Sequence, residues 1–141
     1  RPNLINVIPN QAVMTVDLRN TDGQRLRDAQ AEVLAFARAM ALRSGVQFQH
    51  RQLADFAPVA FDADLVASVE RHARAQGLST LRMPSGAGHD AQMLARVCPT
   101  AMVFVPSAGG LSHNVREHTA PEQLEQGANV LLQVLLERAG R

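Results

Sequence analysis

The chain has 141 residues, of which 46% are hydrophobic, and its 14 basic and 13 acidic side chains leave a formal net charge of +1. This size and balance fit a soluble globular protein of one ordinary domain or two small ones. The sequence has no block of basic residues and neither Trp nor Tyr, so it lacks the charge and the stacking surfaces that favour nucleic acid.

No segment is apolar for long enough to cross a bilayer. The apolar run at residues 101–105, which no other exceeds in length, is far shorter than the ~20 residues that a membrane-spanning helix needs, and no basic-then-apolar leader precedes it. We therefore expect a cytoplasmic protein whose partners include neither membrane nor nucleic acid. The chain begins RPNLINVIPN, without an initiator Met, and we expect it to be part of a longer protein.

The first 54 residues predict a β-α-β unit. Residues 11–20 alternate apolar and polar side chains with the period of a half-buried strand, and Arg19 falls on the polar face. A capping box at residues 21–24 begins a helix, whose apolar positions recur every three or four residues until Gly45 ends it. Residues 46–53 alternate again, which predicts a small α/β sandwich.

A domain boundary is expected near Pro58, where both periods break. The second segment then reads α-β-α-β-α. Asp62 caps its first helix and Gly77 ends it. Its strands are residues 80–83 and 100–105, and a capping box at Thr119 begins the last helix. The apolar positions expected to be buried on its three helices are Leu65, Val66, Val69 and Ala73, then Met93, Leu94, Val97 and Cys98, then Leu124, Ala128, Leu131, Leu132 and Leu135.

Two glycine-bearing turns, at residues 85–90 and 108–113, each follow a predicted strand. Ligands of open α/β sheets bind where strands end, so both turns are candidate sites. The first turn also opens a helix, whose free N–H groups suit a carboxylate or an oxyanion. His89 there fits such a site or a histidine bonded to a nearby carbonyl, and Asp90 fits an ordinary first-turn charge.

His113 in the second turn is a candidate zinc ligand, and Glu117 could fix the tautomer of its ring. Zinc needs about four donors, however, and the sequence has no HExxH motif and no cysteine pair. Taken alone, His113 fits a surface or hydrogen-bonded histidine better than a metal ligand. The remaining histidines, His50, His72 and His118, are expected at solvated positions.

Four segments resemble one enzyme family in the same order along the chain. They are NVIPN at residues 6–10, VDLR at 16–19, SGAGHDA at 85–91 and VPSAGGLSHNVRE at 105–117. Together they resemble the C-terminal portion of the zinc-dependent amidohydrolases that include N-carbamoyl-L-amino-acid hydrolase, β-ureidopropionase and allantoate amidohydrolase. That family belongs to the wider zinc aminoacylase and exopeptidase superfamily.

The resemblance implies an α/β fold in two parts. Residues 1–54 would be the second half of a lid and dimerisation α/β sandwich, and residues 55–141 the C-terminal part of a three-layer α/β/α catalytic domain. A homodimer through the lid is expected. The earlier metal ligands and the general base of the family would lie outside this chain, so the site here is incomplete and the chain alone is expected to be inactive.

The resemblance also implies roles for five residues. His113 would bind one of two divalent metal ions, expected to be zinc, although manganese, cobalt and nickel also suit such a site. Gly88 and His89 would contact the substrate, with His89 stabilising the tetrahedral intermediate. Asn6 and Arg19 would hold the substrate, with the planar guanidinium on its carboxylate.

The leading hypothesis is therefore a metal-dependent hydrolase of linear amides. Its small-molecule substrates would be N-carbamoyl amino acids, ureido acids or allantoate, and it would release ammonia and carbon dioxide through a metal-activated water. Two alternatives stay open, namely an exopeptidase or aminoacylase of the same superfamily, and a non-catalytic dimerisation module.

Overall fold

The computed structural model describes residues 4–140 and contains four α-helices and one 3₁₀ turn in that range. The chain divides into two compact units, of which the first ends at Pro58 and the second begins at Val59. None of the helices described combines the length and the apolar character needed to cross a bilayer. The helices are α1 (Gly23–Ser44), α2 (Ala63–Ala75), α3 (Asp90–Leu94) and α4 (Pro121–Ala139), and the 3₁₀ turn is Ala108–Gly110.

Helix α1, in the first unit, begins and ends at residues whose contacts are local in the sequence. The carboxylate of Asp22 accepts hydrogen bonds from the backbone N–H groups of Gln24 at 2.8 Å and Arg25 at 3.2 Å. Asp22 is therefore the N-cap, and not Thr21 as the predicted capping box required. Gly45 ends the helix as predicted, in the left-handed conformation at φ 65°.

The predicted strands form no β-ladder within the described residues. Residues 11–20, 46–53, 80–83 and 100–105 are non-helical, but none is a strand. The sheets of the expected α/β fold are therefore not present in residues 4–140. A strand requires a neighbouring backbone to take up its N–H and C=O groups, whereas alternation in a sequence reports only which side chains are apolar.

In the second unit, two non-helical segments are held by hydrogen bonds to the start and the middle of α2. The backbone N–H of Asp62 donates to the carbonyl of Thr100 at 3.0 Å, and the Asp62 carboxylate caps α2 through the N–H of Leu65 at 2.8 Å, as predicted. Glu70 accepts hydrogen bonds from Arg82 Nε at 3.0 Å and from Arg82 Nη2 at 2.6 Å. The Arg82 hydrogen bond holds the pKa of Glu70 below its ordinary value.

Helix α4 packs against α2 with a different face from the one predicted. Its buried residues are Val130 and Val134, which are 3% and 7% exposed. Gly127 lies on the same stripe, and a Cβ there would overlap the side chain of Val105. The absence of a side chain at this position lets α4 approach the 100–105 segment closely. The leucines predicted to be buried, Leu124, Leu131, Leu132 and Leu135, are about half exposed.

Two further predictions for the second unit are wrong. The Thr119 hydroxyl donates to the carbonyl of Pro106 at 2.9 Å, so it does not cap α4, which begins with Pro121 at its first position. Helix α3 has only five residues and buries none of them. Because it ends at Leu94, no continuous helical face forms, and the positions expected to be buried are exposed: Met93, Leu94, Val97 and Cys98.

Candidate functional site

The second glycine-bearing turn is a loop closed at its base by two hydrogen bonds. The backbone N–H of Ala108 donates to the carbonyl of His118 at 2.8 Å, and the Thr119 hydroxyl donates to the carbonyl of Pro106 at 2.9 Å. Gly109 and Gly110 both adopt positive φ angles, near 65° and 67°, which turn the chain sharply after the base. The residues between the two ends of the loop therefore extend from a base that hydrogen bonds hold closed.

His113 lies in this loop with its imidazole exposed. Its φ of 55° is left-handed, and among residues 4–140 it is the only residue other than glycine with a positive φ. Its backbone N–H donates to Glu117 Oε2 at 2.8 Å. The expected contact of Glu117 with the ring is thus wrong, because the carboxylate binds the backbone instead. Within the described part of the chain the ring itself has no hydrogen-bonding partner.

The first turn places His89 at the N-terminal boundary of α3. Its Nε2 lies 3.1 Å from the hydroxyl oxygen of Ser85, and its ring meets Phe104 edge-on, with centroids 5.9 Å apart. The expected carbonyl partner is replaced by this hydroxyl, which also accepts the N–H of Ala87 at 3.3 Å. Gly88 is exposed, and a Cβ there would meet nothing within 4 Å, so the backbone at Gly88 is open to close approach.

Arg19, in the first unit, is paired with a carboxylate of its own chain. Its Nε lies 3.0 Å from Asp17 Oδ1 and its Nη2 lies 2.5 Å from Asp17 Oδ2. Because the two residues are two apart in an extended segment, their side chains share one face. The Arg19 hydrogen bond holds the pKa of Asp17 below its ordinary value, and Asp17 raises the pKa of Arg19. Asn6 is exposed in a turn.

The donors needed for a complete metal centre are not found together in the described residues. Between residues 4 and 140 there is no group of three or more His, Cys, Asp or Glu side chains that could hold a metal ion. An exposed imidazole without a partner is chemically suited to one ligand position, so His113 fits a single place in a larger donor set. The other donors of such a set would have to come from outside residues 4–140.

The sequence did not predict a polar cluster between α2 and α4. Glu137 Oε2 accepts hydrogen bonds from Ser68 Oγ at 2.7 Å and from Arg71 Nη2 at 2.8 Å, and lies 2.8 Å from His72 Nε2. These contacts, with Ser68 first, lower the pKa of Glu137 to about 2. Ser68 is fully buried, and His72, predicted to be solvated, is mostly buried. The only signal in the sequence was a serine within the apolar series of α2.

The sequence is similar to known proteins over almost its whole length. A family model described as "Peptidase family M20/M25/M40" matches residues 7–137. An N-carbamoyl-L-amino-acid amidohydrolase from Rhizobium meliloti is 41% identical over 98% of this chain and 33% of its own length. An allantoate amidohydrolase from Bacillus subtilis is 36% identical over 98% of this chain and 34% of its own length.

A solved structure shows the same relation. The crystal structure of an amidase of the hydantoinase/carbamoylase family from Burkholderia vietnamiensis is 42% identical, with a TM-score of 0.79 over 84% of this chain and 29% of that one. The chain thus spans about a third of the length of the curated relatives it matches. The resemblance expected from the four motifs is confirmed, and the chain belongs to peptidase family M20/M25/M40.

Proposed function

We propose that this chain is the C-terminal part of a metal-dependent hydrolase of linear amides. The observation that carries this proposal is the 41% identity, over 98% of the chain, to an N-carbamoyl-L-amino-acid amidohydrolase. The similarity to an allantoate amidohydrolase widens the substrate class to ureido acids and allantoate. The shared chemistry is cleavage of a C–N bond in a ureido or carbamoyl group, with release of ammonia and carbon dioxide.

His113 is proposed as one ligand of a divalent metal pair. Its exposed ring, without a hydrogen-bonding partner in residues 4–140, supports this role. Zinc is the metal proposed, and manganese, cobalt and nickel also suit His and carboxylate ligands. Such a pair, when bound, would supply an activated water and polarise the scissile carbonyl. The remaining ligands and the general base are proposed to lie in the part of the protein that precedes this chain.

His89 and Gly88 are proposed to contact the reacting amide. The contact with Ser85 occupies Nε2 of His89, so Nδ1 is the ring nitrogen available to a substrate. A donor held in this way can stabilise the negative charge that develops on the carbonyl oxygen. The open space beside Gly88 supports a close approach of the substrate to the backbone.

Arg19 and Asn6 are proposed to hold the other end of the substrate. Arg19 binds the carboxylate of Asp17 through two of its nitrogens, and this pairing supports a role for its planar fork in binding such a group. The carboxylate of a carbamoyl or ureido acid would compete with Asp17 for that fork. Asn6, exposed in its turn, would add an amide contact.

We also propose a domain assignment and an assembly for the protein. We place residues 1–54 in a lid and dimerisation domain and residues 55–141 in a three-layer α/β/α catalytic domain. The extended segments would then pair with strands from the rest of the protein. We further propose a homodimer through the lid and a cytoplasmic location, with no nucleic acid or membrane partner.

Ammonia release by the full-length protein tests this function. Purified protein with added zinc or manganese is given N-carbamoyl amino acids, β-ureidopropionate and allantoate, and a dipeptide and an N-acetyl amino acid are assayed beside them. Turnover of at least one ureido compound, with little turnover of the dipeptide, is expected. Turnover confined to the dipeptide or the acetyl amino acid would contradict the proposal.

The peptidase description of the family favours a second candidate, an exopeptidase or aminoacylase. The same substrate panel separates it from the first candidate. A non-catalytic dimerisation module is the third, and the lack of a complete donor group in residues 4–140 is the observation in its favour. A full-length protein that dimerises but hydrolyses no compound of the panel would support that reading.

A further inference from the structure

The backbone of His113 adopts a conformation that histidine rarely adopts. At φ 55° its Cβ is crowded by the neighbouring peptide groups, which is why this region is occupied mainly by glycine, asparagine and aspartate. A residue held there needs surrounding contacts that outweigh the local preference, and such residues cluster at functional sites. The contacts that hold His113 are therefore informative about its role.

Glu117 supplies a hydrogen bond to the backbone of His113. Its Oε2 accepts the backbone N–H of His113 at 2.8 Å, and its own N–H donates to the carbonyl of Asn114 at 2.9 Å. The side chain of Asn114 in turn accepts the N–H of Arg116 at 3.0 Å. The segment from His113 to Glu117 is thus closed by three hydrogen bonds, and only one of them reaches His113.

The direction of the imidazole depends on the φ angle of His113. The base of the loop is tied at Ala108 and Thr119, so the two ends of the loop that carries His113 are fixed. If φ relaxed to a negative value, the Cα–Cβ bond would rotate and carry the ring away from its present direction. An accepting oxygen on the N–H of His113 opposes that rotation.

We propose that Glu117 is a positioning residue for His113. By accepting the backbone N–H, its carboxylate holds His113 in the left-handed conformation and so fixes the direction of the imidazole that would bind the metal. This inference rests on the proposed function, in which His113 is a metal ligand. It gives Glu117 a part in metal binding through the backbone, without contact with either the ring or the metal.

The test compares Glu117→Ala with Glu117→Gln in the full-length protein. Metal affinity is measured by competition with a chromogenic chelator, and exchange of the His113 amide hydrogen is followed by mass spectrometry of the loop peptide. Removing an outer partner of a metal ligand typically weakens binding by about 10- to 100-fold, which is the loss expected for Glu117→Ala. The amide of Gln retains an accepting oxygen, so Glu117→Gln should stay within about threefold of the wild type. Exchange at His113 should accelerate only in the alanine variant.

Control variants separate this inference from the function on which it rests. His113→Ala must itself weaken metal binding, and if it does not, the proposed function fails. If His113→Ala weakens binding but Glu117→Ala leaves affinity and exchange unchanged, the inference about Glu117 is overturned. Equal losses in Glu117→Ala and Glu117→Gln would also overturn it, because charge would then matter and the hydrogen bond would not.

Two further variants cover general effects of charge and folding. Glu125→Ala removes an exposed carboxylate from α4 and should leave metal affinity unchanged. If Glu117→Ala does not fold, Glu117→Asp keeps the charge but withdraws the carboxylate by one methylene. Weaker metal binding is expected for Glu117→Asp, and wild-type affinity with unchanged exchange would overturn the inference.

Discussion

Replacing Gly127 with alanine tests the packing of α4 through two opposing effects. In a helix interior, alanine is favoured over glycine by about 1 kcal/mol. A Cβ at this position would, however, overlap Cγ1 of Val105. The valine is branched at Cβ and has few alternative rotamers, so the backbone of α4 must shift. Overpacking of this kind typically costs about 1–3 kcal/mol.

We therefore expect Gly127→Ala to change the free energy of unfolding by between zero and about 2 kcal/mol of destabilisation. The sharper test is its effect in a Val105→Ala background, where the overlapping methyl group is gone. There the helix propensity is the remaining effect, and Gly127→Ala should stabilise by about 1 kcal/mol. Urea unfolding of the full-length protein and its three variants measures the coupling directly.

If Gly127→Ala changed the free energy of unfolding by the same amount in the wild-type and Val105→Ala backgrounds, the proposed contact between Gly127 and Val105 would be refuted. Gly23→Ala is the matched control, because a Cβ there would make only ordinary contacts, at 3.5 Å with Arg27 and 3.6 Å with Pro58. It should be neutral or stabilising whatever residue occupies position 105. A coupling between the substitutions at Gly23 and Val105 would show that the double-mutant comparison reports something other than the contact at Gly127.

Three further predictions concern charge and substrate binding. The pKa of Glu137 is about 2 in the folded state, below its ordinary 4.5. The contribution of Glu137 to stability is therefore present above pH 4.5 and is lost as the pH falls toward 2. In acid unfolding, Glu137→Gln should flatten the loss of stability over that range. Arg19→Ala should raise KM for carboxylate substrates by about 10- to 100-fold with a smaller effect on kcat, as measured by ammonia release. His89→Ala should lower kcat by about 100- to 1,000-fold, as expected on losing one donor to an oxyanion, in the same assay.

Each of these three predictions is compared with a control variant. Glu122→Gln alters an exposed carboxylate and should keep the wild-type acid slope, and an unchanged slope in Glu137→Gln would contradict the pKa argument. For Arg19, replacement by lysine should restore KM only in part, because the planar fork is lost. An unaltered KM in Arg19→Ala would remove this residue from the substrate site. His50→Ala, at an exposed histidine, should keep full activity.

Helix ends were predictable where the cap depends on residues close in sequence. Asp62 and Gly45 act as predicted, because a carboxylate reaching a backbone N–H and a left-handed glycine are both local features. Thr119 was predicted wrongly because its hydroxyl binds the carbonyl of Pro106, which is distant in the chain. A capping residue cannot be assigned from spacing alone when its side chain can also hydrogen-bond to a distant part of the chain.

The packed face of α4 could not be predicted, because the helix is apolar on more than one side. Its leucines are larger and more numerous, yet Val130 and Val134 are the residues that are buried. Gly127 decides between the two faces, since it permits the close approach to Val105. Periodicity identifies apolar positions, but shape determines which of them pack.

The candidate site was partly predictable from local sequence. The glycines before His113 predicted a sharp turn, and alternation placed Asp17 and Arg19 on one face, where they form an ion pair. The contact of Glu117 with the backbone of His113 was not predicted, because it depends on the left-handed conformation. Glu137 and Ser68 are 69 positions apart, and sequence spacing carries no information on such a contact.

The metal content of the protein with and without the His113 imidazole measures whether His113 is a metal ligand. The full-length protein and its His113→Ala variant are freed of metal, reloaded with zinc, dialysed, and analysed for bound metal by plasma mass spectrometry alongside ammonia release. We predict that the wild type binds a metal pair, and that the variant loses at least one ion per chain together with its turnover. Full metal content and unchanged turnover in the variant would contradict the assignment of His113 as a metal ligand.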